Sequence, residues 1–154
     1  MTIPDFDHIR PGDALPPLEV VPLNRLTLAL YCGASGDYNP IHVDVDYALD
    51  VAGMDDVIGH GTLTMAYLGR LLTNWVPQHC IRRFKTRFKS PSHVGDRISC
   101  SGKVVEVFNE ENLLKVELEA LNEKGTVLAM GEATISLERG LDAEDTIQES
   151  VEGI

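Results

Sequence analysis

The sequence predicts an α+β domain in which an antiparallel sheet wraps around one long buried helix. Three observations predict it. A stretch near the middle of the chain has helical periodicity and is apolar on almost every side. Everything after it alternates apolar and polar residues, as strands do. Short turn signals separate those strands, so consecutive strands pair antiparallel. A buried helix followed by a strand meander is satisfied by laying the sheet over the helix.

Residues 1–23 are proline-rich and irregular, with one short apolar stretch from Leu18 to Val21. Asn24 can cap a helix over residues 25–34, because its side chain accepts from an otherwise orphaned backbone N–H. Ser35-Gly36 ends that helix. The polar loop SGDYNPIHVD spans residues 35–44, and a short helix is expected over residues 45–51. Next comes GHGTLTMAYLGRLLTNWVP, in which Leu63, Tyr67, Leu71 and Trp75 recur at helical spacing. Met65, Leu68 and Leu72 fill its flanks, so the helix is expected to be buried nearly all round. Gly59 and Gly61 mark its tight start and Pro77 its exit.

RRFKTRFK, residues 82–89, holds five bases and no acid. Read as a strand, it places Phe84, Thr86 and Phe88 on one face and Arg83, Lys85, Arg87 and Lys89 on the other. The aromatic face should pack on the helix and the basic face should meet solvent. In 113–121, Leu114, Val116, Leu118 and Ala120 alternate with Lys115, Glu117 and Glu119. In 126–137, Val127, Ala129, Ala133, Ile135 and Leu137 share a face. Asn109–Asn112 and Asn122–Gly125 supply the turns between strands. A sheet of this kind has an edge to protect, and pairing with a second copy is one way to do it.

The 154 residues suit a single domain, expected over 1–140, followed by an acidic and flexible tail over 141–154. A formal net charge of -11 argues against general nucleic-acid binding, because phosphate would be repelled. No run of about 18 apolar residues predicts a membrane span. The opening MTIPDFDHIRPGD has no basic region before an apolar stretch and does not read as a signal peptide. Cys32, Cys80 and Cys100 are far apart and odd in number, which fits neither a metal nor a disulfide framework and points to a reducing cytoplasm.

Asp37 and His42 are the candidate catalytic pair. A loop between a helix end and a buried helix can aim side chains into a cleft. Pro40 stiffens that loop and biases Asn39 away from helical dihedrals. An Asp and a His held together can share proton transfer near neutral pH. On spacing alone a second reading stands, in which Asp37 caps the following turn and His42 is a polar loop residue. DVDYALD, residues 44–50, lacks the central Gly and terminal Glu of a calcium loop and reads as a solvated acidic turn. His60 has no third ligand at suitable spacing and reads as a structural residue at the helix start. His8, His79 and His93 read as surface residues.

YCGASGDYNPIHVDVDYALDVAGMDDVIGHGTLTMAYLGRLL resembles the signature of the MaoC-like hydratases and dehydratases. The match runs through Gly36, Asp37, Asn39, Pro40, Ile41 and His42, then Asp44, Ala48, Gly53 and His60-Gly61. FKSPSHVGDRI resembles the family's later strand and turn, and the resemblance covers roughly residues 8 to 137. It implies a hotdog fold, a sheet curled round one long helix. It implies hydration of enoyl thioesters of coenzyme A or acyl carrier protein to (R)-3-hydroxyacyl thioesters, or the reverse, with no metal or redox cofactor. By the resemblance, Asp37 and His42 hold the attacking water. His42 takes its proton, and Asp37 orients it and shuttles a proton to the α-carbon. Gly61 offers its backbone N–H to the enolate oxygen at a helix N-terminus. Asn39 fixes the loop or the water, or serves the turn alone. Several hydratases of this kind carry a Ser where this chain has Ala66, which bears on acyl-chain preference rather than on the pair. Arg83 and Arg87 are expected to receive coenzyme A phosphates or an acidic carrier protein, or else to be a solvated face. A homodimer is expected. The competing reading is a scaffold subunit active only beside a second hotdog chain; a thioesterase fits the shape but not the Asp-x-Asn-Pro-x-His loop.

Overall fold

The computed structural model describes residues 4–137, so the expected acidic tail over 141–154 lies outside the described residues. Five strands form one antiparallel sheet: β1 (Leu18–Glu19), β2 (Ile81–Phe88), β3 (Ile98–Phe108), β4 (Leu113–Asn122) and β5 (Val127–Ser136). Their spatial order is β1-β3-β4-β5-β2. β3, β4 and β5 are the expected meander, and β2 returns to pair with β5 at the far edge. This is the α+β hotdog layout read from the sequence.

Helix α1 spans Arg25–Ser35, one residue longer than expected. Asn24 caps it by accepting from the Thr27 N–H, and Gly36 ends it in the left-handed region at φ 73°. Helix α2 spans Gly61–Trp75 and buries Leu63, Thr64, Leu68, Leu71 and Leu72. Fully burying one such leucine contributes about 1.5–3 kcal/mol. The sheet curls closely enough to need glycine beneath the helix. Gly102 and Gly131 both pair with Leu118 across the sheet. A Cβ on Gly102 would lie 2.9 Å from Leu15 and 3.3 Å from Leu71 of α2.

Three sequence expectations are corrected. First, α2 is not buried all round: Thr62, Ala66, Arg70 and Thr73 are exposed along one side. Five strands cover only part of a helix, and a single chain leaves the remaining stripe uncovered. Second, Phe88 does not join the core with Phe84 but is 50% exposed. It sits at the end of the edge strand, where its ring lies over the start of α2; a Cβ on Gly61 would be 3.3 Å from it. Third, Val127 is only half-buried, and Leu128 and Ala129 are both buried. A register shift where Ala120 pairs with Ala129 and Leu121 with Val127 inserts one residue, so strict alternation breaks there.

A second, smaller cluster of Leu23, Leu28, Ala48, Val57 and Leu63 holds residues 36–60 across the first turns of α2. Tyr67 touches both clusters and joins them. The short helix expected over residues 45–51 forms, its Tyr47–Val51 part as a single wide turn, and Ala48 is its buried anchor. This arrangement brings the polar loop to the N-terminus of α2.

Candidate active site

The site is built from three local structures. Pro40–His42 is one tight 3-10 turn. Asn39 caps it, its side-chain oxygen accepting from the Ile41 N–H at 3.2 Å. The Asn39 N–H in turn donates to Asp37 Oδ1 at 3.3 Å. The two oxygens of Asp37 have different neighbours. Oδ1 caps the turn, while Oδ2 stands 3.8 Å from His42 Nε2. Asn39 uses its oxygen on the loop.

His42 is buried, with 9% of its surface exposed. Its Nδ1 lies 2.8 Å from the Ile58 carbonyl oxygen. A carbonyl only accepts, so Nδ1 carries the hydrogen, and the neutral form of the ring would present an unprotonated Nε2 to Asp37. The Ile58 N–H donates to the Ile41 carbonyl at 3.2 Å, so the two segments are paired at adjacent points. Arg25 and Asp56 tie the start of α1 to the same segment at 2.7 Å, and this guanidinium holds the Asp56 carboxyl below its usual range.

The third structure is the start of α2. His60 precedes it in extended backbone and makes no side-chain cap. The first N–H groups of a helix have no partner within it, so Gly61 presents a free donor at the positive end of the helix. Its absent side chain leaves that donor open beside Phe88. The His60 ring stacks on His42, with centroids 3.8 Å apart and planes at 24°. The Tyr31 ring of α1 also meets His60, in a T-shaped contact with centroids 5.0 Å apart and planes at 67°.

Asp37, His42 and His60 place donor atoms within 4.8 Å of one another, so Asp37 supplies the third potential metal ligand that sequence spacing did not show. The ring geometry does not fit a metal. Imidazole lone pairs lie in the ring plane, and two nearly parallel stacked rings cannot both direct them at one ion about 2 Å away.

Arg83 and Arg87 are exposed on the face of β2 opposite Phe84, whose ring approaches Gly69 of α2. Lys85, between them, pairs with Glu132 at 2.9 Å. Among the described residues no ion pair engages Arg83 or Arg87. A hollow of about 840 Å³ on this outer face is lined by Lys85, Arg87, Lys103 and Glu132, among others, and lies apart from the Asp37–His42 pair. The structure thus brings Asp37, Asn39, His42 and Gly61 together and sets Arg83 and Arg87 on the other side of the edge strand. His60 and Phe88 are the neighbours that sequence reasoning did not place in the site. Phe88 left no signal beyond its alternation, whereas His60 stood beside Gly61 in the motif.

The family model for the MaoC like domain matches residues 10–124. The chain belongs to the MaoC-like domain family. This MaoC-like domain is 32% identical over 122 residues to the mouse peroxisomal multifunctional enzyme type 2, covering 77% of this chain but only 15% of that protein. It is 25% identical over 132 residues to the (R)-specific enoyl-CoA hydratase of Rhodospirillum rubrum, covering 84% of this chain and 89% of the relative. Among solved structures, the unliganded R-hydratase PhaJ1 of Pseudomonas aeruginosa superimposes with a TM-score of 0.77 at 23% identity, over 88% of this chain and 86% of that one. The ChsH1–ChsH2 complex of Mycobacterium tuberculosis has the same fold, with a TM-score of 0.74 at 22% identity over 84% and 98% of the two chains. No helix among the described residues is long and apolar enough to cross a membrane.

Proposed function

We propose that this MaoC-like domain reversibly hydrates trans-2-enoyl thioesters of coenzyme A or acyl carrier protein to (R)-3-hydroxyacyl thioesters. The carrying observation is the approach of Asp37 Oδ2 to His42 Nε2 at 3.8 Å, with Nδ1 engaged by Ile58. Two acceptors at that separation leave room for one water about 2.8 Å from each. Nε2 takes a proton from the water as its oxygen bonds to the β-carbon. The electrons of the double bond move onto the thioester, and the resulting enolate oxygen meets the Gly61 N–H. The proton then passes from His42 through Asp37 to the α-carbon, so the pair ends as it began. Dehydration is the same sequence in reverse. Asn39 holds the loop that presents both groups. Arg83 and Arg87 lie one face away from the site, where the distant phosphates of coenzyme A or an acidic carrier protein would be received. The (R) configuration follows the named activity of the Rhodospirillum relative.

A homodimer suits this chain because β2 is a sheet edge of eight residues beside the exposed stripe of α2. A second reading, a subunit that works only beside a different hotdog chain, is favoured by the two-chain solved neighbour. The three free thiols fit a reducing cytoplasm. Purified protein is incubated with crotonyl-CoA, a longer enoyl-CoA and an enoyl carrier-protein thioester, and the product is analysed on a chiral column. An (R)-3-hydroxyacyl product is expected. No hydration of any of the three overturns the reading for the lone chain, and activity only after adding a second hotdog chain selects the heteromer.

A further inference from the structure

We propose that His60 is a positioning residue for the reaction: its ring face, stacked on His42 at 3.8 Å, fixes the plane in which His42 presents Nε2. The inference rests on the hydratase reading above, and His60 is a fully buried titratable side chain beside the pair that the mechanism does not use.

Among the described residues the His42 ring has one hydrogen bond, from Nδ1 to the Ile58 carbonyl. A ring held at a single point can still tilt about that point, and tilting would swing Nε2 away from Asp37. A flat wall against one face prevents this. His60 supplies that wall and is itself in T-shaped contact with Tyr31 of α1 at 5.0 Å. Tyr31, His60 and His42 form a stack running from α1 to the loop. His60 is also the residue before Gly61, so the wall and the N–H donor move together.

The contact with His42 is made by the ring face. His60 is 0% exposed, and among the described residues neither ring nitrogen makes a well-aligned hydrogen bond, although the Asp37 backbone lies close enough to favour the protonated ring slightly. An unpartnered buried polar atom destabilises a fold, so packing at the helix start does not by itself favour an imidazole over a phenyl ring. Burial, followed by the neighbouring His42, pushes the His60 pKa down, against a smaller opposing influence from Asp37. A His60 kept neutral does not repel His42 when His42 takes a proton, and it offers an aromatic face to that cation.

The test compares His60→Phe with His60→Leu. Both fill the buried volume, but only phenylalanine presents a flat face, so a residue that merely packs the helix start would tolerate both alike. Nitrogen-15 NMR of the His42 ring reads the tautomer without any substrate. Wild type and His60→Phe are expected to show the Nδ1–H form alone, and His60→Leu a mixture of both tautomers. With an enoyl thioester, His60→Phe should keep kcat within about threefold, whereas His60→Leu should lose on the order of tenfold or more with KM little changed, as expected of a misplaced catalytic group. A single Nδ1–H tautomer in folded His60→Leu overturns the proposal. So does an equal loss of the tautomer preference in both variants. Because the NMR arm needs no turnover, an inactive wild-type protein would count against the hydratase reading and leave this test standing.

Discussion

Replacing Asp37 by asparagine changes one oxygen for a nitrogen and little else. The carbonyl oxygen of asparagine can still accept from the Asn39 N–H, as Asp37 Oδ1 does at 3.3 Å, so the turn keeps its cap. What disappears is a negative charge 3.8 Å from His42 Nε2. A unit charge pair at that distance is worth about 4 kcal/mol at an effective dielectric of ~20 and about 1 kcal/mol in bulk water. The Asp37 side chain is 42% exposed, so solvent screening places the effect between those limits. A midpoint of about 2.5 kcal/mol is nearly two decades in rate, at about 1.36 kcal/mol per decade. Loss of one acid–base partner also costs at least about a hundredfold. The expected result is therefore a kcat for Asp37→Asn lower by about a hundredfold, with an unchanged thermal melt. The assay follows loss of the conjugated enoyl absorbance of crotonyl-CoA, with circular dichroism on the same sample. A folded Asp37→Asn with near-wild-type kcat would refute the reasoning, because the water would then be activated without the carboxylate.

Four further outcomes are expected. The double variant Arg83→Ala with Arg87→Ala should raise KM for a coenzyme A thioester and leave kcat nearly unchanged, and the effect should shrink as salt is added; an unmoved KM at low ionic strength makes this stripe a solvated face. Sedimentation at micromolar concentration should show a homodimer through the β2 edge, and a monomer there would count against that pairing. Stability should depend on pH through His60, whose pKa lies below its ordinary 6.5. The unfolded chain takes up that proton first, so stability is full above pH 6.5 and falls as pH drops through 6.5 toward the folded value, by up to about 1.4 kcal/mol per pH unit. Urea melts between about pH 7.5 and about pH 5.5 should show that slope and His60→Phe should flatten it; an identical slope in the variant would assign it elsewhere. Burial pushes the Cys100 thiol up to about 12, so it should resist alkylation in the native protein at neutral pH, and mass spectrometry showing rapid labelling of Cys100 would contradict its burial.

Local chemistry is legible in the order of the residues. Asn24 and Gly36 bound α1 because a side-chain cap and a left-handed residue act within one turn of sequence. The alternation in β4 marks its inner residues because a strand side chain points where its parity sends it. Asp37, Asn39 and His42 can be named because they sit on one short loop stiffened by Pro40, and the motif around them is long. Three features depend on distant partners. The exposed side of α2 reflects how much of a helix five strands can cover, which no periodicity within the helix reports. The inserted residue at Leu128 comes from the register between β4 and β5, a property of two strands rather than one. The stack of Tyr31, His60 and His42 joins residues from α1, the start of α2 and the loop between them. The elements, the family and the candidate pair are therefore written in neighbouring residues and can be read from them alone. Which ring faces which is not written there, because stacking and burial are set by segments far apart in the chain that meet once the core has closed.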